Sequence, residues 1–143
     1  MPYRFLENTA IADVAFEATG SDFEELLRGA WDAALATMII QPDRIEKVTS
    51  RSVQLEHEQA DLLLYDFLQE LLFYKDAESM LLKIDRLTVR RAGTVYQLDA
   101  LLAGEKIDRA RHEMSVDVKA VTLHQLRVEH GEGGWRATVV LDV

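Results

Sequence analysis

The chain of 143 residues contains no cysteine. This absence excludes disulfides, thiol catalysis and zinc sites built on thiolates. The sequence also lacks the run of about 18 apolar residues that a membrane-spanning helix needs. Its first residues carry neither a long apolar segment nor a small-residue cleavage site, so we expect a cytoplasmic protein without membrane contact.

The chain has few basic residues relative to acidic ones. The 16 basic residues are outnumbered by 25 acidic ones, which gives a net charge of −9. Such a surface argues against direct, tight binding to RNA or DNA, because that affinity comes from Lys and Arg. It suits a cation-binding protein or a partner of a basic protein, but on composition alone good solubility is the better explanation. The apolar fraction of 48% is that of a globular chain, and we expect one domain over residues 1–143.

Hydrophobic periodicity predicts an α+β fold, in which two amphipathic helices pack on one face of a mostly antiparallel sheet. The first helix is predicted to begin at a capping box, Ser21–Glu24, and to stop before Pro42. The second covers about residues 59–75, and a turn is expected at 104–108. The predicted strands are 3–8, 12–18, 48–57, 82–91, 94–102, 121–129 and 135–143.

Familiar catalytic motifs are missing. The glycines form no phosphate-binding loop, since no Gly-Lys-Ser/Thr follows them, and neither His57 nor His112 has a second histidine one helical turn away. No serine lies in a nucleophile elbow. A hydrolase or kinase therefore has little support.

Two aspartates stand out by their apolar surroundings. Asp13 follows Ala10-Ile11-Ala12, and Asp142 ends the run Val139-Val140-Leu141. Each could simply face solvent from the polar side of its strand. The chain ends one residue later, so we expect the carboxylate of Val143 close to Asp142. If Asp13 lies nearby, these oxygens would need a hard cation such as Ca²⁺, Mg²⁺ or Mn²⁺.

Lys119 is the third candidate. Its neighbours Val118, Ala120 and Val121 are apolar, so its ammonium could reach toward a carboxylate cluster or a phosphate. A solvated strand lysine is an equally good explanation. The lone histidines His112 and His124 are better explained as hydrogen-bonded structural residues.

The order of these motifs resembles the archease family almost from end to end. The segments that show this resemblance are Phe5–Ala10 with Asp13-Val14, Gly104-Glu105-x-x-Asp108, His112-Glu113, Val118–Thr122 with His124 and Leu126, and Trp135–Val143. Asn8 departs from the usual pattern, which has His there. The step from Glu7 to Asp13 is also two residues longer than usual, which preserves strand parity.

The resemblance implies an accessory protein without bond-making activity of its own. Archeases assist RtcB-type RNA ligases in tRNA splicing and RNA repair, by speeding guanylylation of the ligase and allowing repeated turnover. In the family a divalent cation is held at the positions of Asp13, Asp142 and Val143 in this chain, and we expect Ca²⁺ here, with Mg²⁺ or Mn²⁺ as alternatives. The lysine needed for activation corresponds to Lys119. RNA would be met only through the ligase.

Two other classes remain open from the residues alone. One is a stand-alone module that binds a divalent metal or a small ligand, and the other is a chaperone-like interaction protein that uses an apolar surface. The native metal, the role of Asn8 and the choice between a monomer and a weak homo-oligomer also stay open.

Overall fold

The computed structural model describes residues 2–7 and 13–143. Two α-helices, one short 3₁₀ helix and eight strands alternate along this part of the chain. In chain order they are β1 Tyr3–Leu6, β2 Asp13–Gly20, α1 Phe23–Met38, the 3₁₀ helix Pro42–Arg44, β3 Thr49–His57, α2 Ala60–Glu78, β4 Met80–Ala92, β5 Val95–Lys106, β6 Ala120–Val121, β7 Arg127–Gly131 and β8 Gly134–Asp142. The predicted α+β class with antiparallel strands is confirmed.

The strands divide into two sheets, where periodicity had suggested one. The first runs in the order β1-β2-β8-β6, with β7 also paired to β8, and the second runs β3-β5-β4. Periodicity reports which residues face the core and is silent on which strands pair, so the division could not be read from the sequence. Both helices contact strands of both sheets and share one core with them.

The core is built around α1 and α2. Trp31 of α1 and Phe67 of α2 are fully buried, with ring centroids 4.7 Å apart. The indole Nε1–H of Trp31 donates to the carbonyl of Leu82 in β4 at 2.9 Å, which ties α1 to the second sheet. Neither helix of the described residues combines the length and apolar character needed to cross a membrane.

The start of α1 differs from the prediction by one residue. Asp22, not Ser21, is the N-cap, and its carboxylate accepts from the backbone N–H of Glu25 at 2.8 Å. Ser21 instead donates its hydroxyl to the Glu25 side chain at 2.9 Å. Asp is as good an N-cap as Ser, so composition alone could not choose between adjacent candidates.

The predicted turn at residues 104–108 is wrong at its start, because β5 continues to Lys106. Gly104 lies within the strand, opposite Leu82. A Cβ at this position would lie 1.8 Å from the Leu81 carbonyl oxygen. The glycine therefore permits a close approach of two backbones and does not mark a turn.

The predicted strand 121–129 is broken in two. β6 ends at Val121 and β7 begins at Arg127, with a turn between them in which Leu126 N–H donates to the Leu123 carbonyl at 3.3 Å. Gln125 in this turn takes the left-handed φ of 57°. The helix predicted to end near residue 75 continues to Glu78, and the predicted strand 3–8 ends at Leu6. Residues 8 and 12 of the predicted first two strands lie outside the described residues.

Candidate cation site at the Asp13–Asp142 strand pair

The two candidate aspartates meet across adjacent strands. β2 and β8 run antiparallel, and their register places Asp13 directly opposite Asp142. Directly opposed residues of an antiparallel pair project to the same face, with Cβ atoms about 5 Å apart. Both aspartates are half-buried. Two like charges so placed repel each other, and a cation between them would relieve that repulsion.

The backbone of Lys119 lies next to Asp142 on the side of β8 opposite to β2. Its backbone N–H donates to the carbonyl of Asp142 at 2.8 Å, and Ala120 lies opposite Asp142 in the β6–β8 ladder. The Lys119 side chain is exposed. The residues predicted from sequence therefore converge on one end of β8, brought together by two ladders that the sequence did not reveal.

Val143 follows directly, and its side chain packs against the core. That packing anchors the residue that directly follows Asp142. Within residues 2–7 and 13–143, no three His, Asp or Glu side chains cluster closely enough to hold a metal. A cation here would need backbone oxygens as well as the two aspartates. Carboxylate and backbone oxygens are the ligand types that Ca²⁺ and Mg²⁺ accept.

The segment that delivers Lys119 is held by helix α1. It crosses from β5 in the second sheet to β6 in the first. Ser115 N–H donates to the Met38 carbonyl at 2.8 Å, and Val116 N–H donates to the Thr37 carbonyl at 3.1 Å. These bonds also satisfy carbonyl groups at the end of α1, where intrahelical partners run out.

A buried lysine anchors the same segment from α2. The Lys75 side chain is only 7% exposed, and its Nζ lies 2.7 Å from Asp117 Oδ1 and 2.8 Å from Asp76 Oδ1. Burial alone would lower the pKa of Lys75, but the hydrogen bonds to the two aspartates outweigh it and raise that pKa. The hydrogen bond from Lys75 in turn lowers the pKa of Asp117, and the nearby charge of Lys119 lowers it further. Asp117 therefore stays ionised two residues before Lys119.

A second buried network sits where this segment leaves β5. Glu105 is 8% exposed and His112 is 1% exposed. The Glu105 carboxylate accepts from Glu46 N–H at 2.7 Å, pairs with Arg111, and lies 3.0 Å from His112 Nε2. Asp108 N–H donates to His112 Nδ1 at 2.9 Å, so Nδ1 is the acceptor and Nε2 carries the proton toward Glu105.

The donors around Glu105 set its charge. Burial pushes the pKa of the Glu105 carboxyl up, and the hydrogen bonds from Glu46, His112 and Arg111 together pull that pKa below its usual value. The ionised carboxylate thus holds the start of the crossing segment. The sequence indicated His112 only as a hydrogen-bonded structural residue, which it is. It gave no sign that Glu105, which was predicted to lie in a turn, is its partner.

A family model and several sequence relatives match the chain over most of its length. The model of the Archease protein family (MTH1598/TM1083) matches residues 3–143. The archease of Pyrococcus abyssi is 34% identical over 133 residues, covering 92% of this chain and 93% of the relative. The archease of Methanosarcina mazei is 34% identical over 142 residues, covering 99% of this chain and 95% of the relative.

Solved structures agree with the sequence relatives. The solution structure of Methanobacterium thermoautotrophicum protein 1598 superposes with a TM-score of 0.84 at 31% identity, and the match covers 99% of each chain. The Thermotoga maritima crystal structure, described as an archease and possible chaperone, superposes with a TM-score of 0.65 over 94% of this chain and 93% of that one. Its 19% identity supports the shared fold and nothing further.

Proposed function

Because this chain belongs to the archease family, we propose that it is a metal-binding accessory protein that activates an RtcB-type RNA ligase. It would act in tRNA splicing and RNA repair, by promoting GTP-dependent guanylylation of the ligase and its repeated turnover. The chain itself would make no bond. The observation that carries this proposal is the placement of Asp13 opposite Asp142, with Lys119 hydrogen-bonded to the same aspartate.

The cation would be held by Asp13, Asp142 and the backbone oxygens of Val143. Ca²⁺ suits this set best, because it accepts carboxylate and backbone oxygens in flexible geometry, while Mg²⁺ or Mn²⁺ are the alternatives. So few protein ligands leave part of the coordination shell for water or for oxygens of a partner. When bound, the ion would supply positive charge that stabilises phosphate oxygens.

The protein groups around the ion would orient the partner. The exposed Lys119 ammonium would meet a phosphate or an acidic side chain of the ligase; the backbone bond from Lys119 to Asp142 and the exposure of its side chain support this role. The net charge of −9 would steer the protein toward a basic surface such as the RNA-binding face of a ligase. Steering of this kind raises the association rate and weakens with salt.

Single-turnover guanylylation of an RtcB-type ligase with GTP tests the proposal. We expect the parent chain to accelerate the reaction, and Asp13→Ala, Asp142→Ala and Lys119→Ala each to abolish most of that acceleration. Asp99→Ala is the matched control, since Asp99 is an exposed strand carboxylate of the other sheet. Lys119→Arg distinguishes a need for charge from a need for the ammonium. If all three alanine variants stimulate as well as the parent, the site assignment is wrong.

A client-binding role is the second candidate, and exposed apolar side chains favour it. Val48, Leu123 and Phe73 are 71%, 60% and 55% exposed. Phe73 lies on α2, Val48 precedes β3 and Leu123 follows β6, so the three come from separate parts of the chain and the ligase proposal explains more. An aggregation assay with a denatured client separates the two, because suppression that survives Asp142→Ala would point to the apolar surface. Failure to capture an RtcB-type ligase would instead favour a stand-alone cation-binding module.

A further inference from the structure

Thr122 carries a buried hydroxyl without a hydrogen-bond partner. Its Oγ1 is inaccessible to solvent, and no group in residues 2–7 or 13–143 bonds to it. The backbone N–H of Thr122 is satisfied, since it donates to the Val140 carbonyl at 3.0 Å. Buried polar side chains nearly always find a partner, because leaving one unpaired forfeits its solvation. A hydroxyl buried at this cost points to a partner outside the described residues.

The pairing register places this hydroxyl close to the aspartates. Ala120 is opposite Asp142 and Val121 is opposite Leu141, so Thr122 stands opposite Val140. Val140 in turn faces Ala15 on β2. Alternation along the strands puts Thr122 on the face that carries Asp13 and Asp142, one pleat repeat further along. That face is distinct from the one that presents Val139 and Leu141 to the core.

The surroundings of the hydroxyl are apolar. Ala15 and Val140 are each 2% exposed, although both alternate with the core-facing residues of their strands. Neither side chain offers a hydrogen-bond partner. On the same face Asp13 and Asp142 lie one pleat repeat to one side and Glu17 and Thr138 one repeat to the other, and Glu17 is already paired with Arg4. Diagonal neighbours on paired strands are about 7–8 Å apart, which is too far for a direct bond and suits one bridging water.

We infer that the Thr122 hydroxyl accepts a hydrogen bond from a water bound to the cation at Asp13 and Asp142, and so positions that ion. The inference rests on the proposed cation site. A water bound to a divalent ion is a strong donor, because the ion withdraws its electrons. Outer groups of this kind fix the orientation of the ligands, and their loss typically weakens metal affinity about 10- to 100-fold.

Two substitutions at Thr122 separate a positioning role from a structural one. Thr122→Val keeps the shape and removes the hydroxyl, whereas Thr122→Ser keeps the hydroxyl and removes a methyl. Calorimetric titration with Ca²⁺ and with Mg²⁺ should show Thr122→Val weakened about tenfold or more and Thr122→Ser close to the parent. Thermal unfolding in EDTA should give the reverse order, with Thr122→Val at least as stable as the parent and Thr122→Ser less stable.

Thr37→Val is the matched control. Thr37 is 6% exposed, and its hydroxyl donates to the Ala33 carbonyl at 3.0 Å within α1. The same chemical change there should leave cation affinity unaltered.

The outcomes distinguish the inference from the proposal beneath it. If the parent binds neither cation, the cation site and the inference both fail. If the parent binds and Thr122→Val binds equally well, only the role of Thr122 is overturned. A clear loss of stability of Thr122→Val in EDTA also overturns it, because the hydroxyl would then have a partner within the chain.

Discussion

Replacing Glu105 by Gln removes the charge at the centre of the most heavily bonded buried carboxylate of the described chain. The carboxylate receives the Glu46 N–H, the Arg111 guanidinium and the His112 ring. A glutamine keeps the shape and offers only one acceptor oxygen. Its amide nitrogen would face at least one of these donors, leaving that donor unpaired.

The magnitude follows from burial. Removing one member of a buried, hydrogen-bonded ion pair costs about 3–5 kcal/mol, and the lower end applies here because Arg111 is 40% exposed. About 3 kcal/mol corresponds to a fall of about 10 °C in melting temperature for a chain of this size. We therefore expect Glu105→Gln to remain folded at room temperature and to melt about 10 °C below the parent.

The pH dependence supplies a second, independent signature. The folded pKa of Glu105 is lowered below its ordinary value of 4.5. A depressed carboxyl pKa contributes stability that is fully present above the unfolded pKa and is lost as the pH falls through the folded pKa. The stability gap between parent and Glu105→Gln should therefore stay constant from pH 7 to about pH 5 and narrow below the ordinary value.

Urea unfolding followed by circular dichroism, at several pH values between 7 and 3, measures both signatures. Glu56→Gln is the control, because Glu56 is an exposed carboxylate on the neighbouring strand β3. That variant should unfold like the parent at every pH. Equal stability of Glu105→Gln and Glu56→Gln, or a gap that widens on acidification, would refute the reasoning.

Two further substitutions test the packing of the second sheet. Gly104→Ala should destabilise the protein by several kcal/mol, since its Cβ would lie 1.8 Å from the Leu81 carbonyl oxygen and one backbone would have to move; thermal unfolding measures it, and Gly133→Ala, with open space at its Cβ, is the control. Trp31→Phe should lose about 2–4 kcal/mol in urea unfolding, because it leaves the Leu82 carbonyl without its 2.9 Å indole donor and opens a cavity in the core. A Trp31→Phe protein as stable as the parent would show that the indole bond contributes nothing.

The helices and strands of this fold could be predicted from the sequence where hydrophobic periodicity is strong. Hydrophobic periodicity located both helices and the strands β2 and β8, and the large apolar residues Phe16, Trp31 and Phe67 of these elements are fully buried. The predicted element boundaries were wrong where one residue type serves two different structural purposes. Gly104 was assigned to a turn because glycine serves both turns and close backbone approach, and only the position of Leu81 distinguishes them.

The site divides in the same way. Sequence singled out Asp13, Asp142 and Lys119 by apolar context and by resemblance to a family, and it could not say that they are neighbours. The β2–β8 and β6–β8 ladders make them so. Nothing in the residue type of Thr122 predicts a role at the site, because threonine is common in strands. Only the burial of its hydroxyl without a partner makes it informative.

The sequence by itself determined the absence of cysteine chemistry, the acidic surface, the class of fold and the identity of the three polar candidates, since these depend on composition and local spacing. Only the tertiary structure decided that residues 13, 119 and 142 share one end of β8. It also decided that Glu105 and His112 are buried partners. The physical reason is that strand pairing and burial depend on residues far apart in the chain, whose contacts local periodicity does not encode.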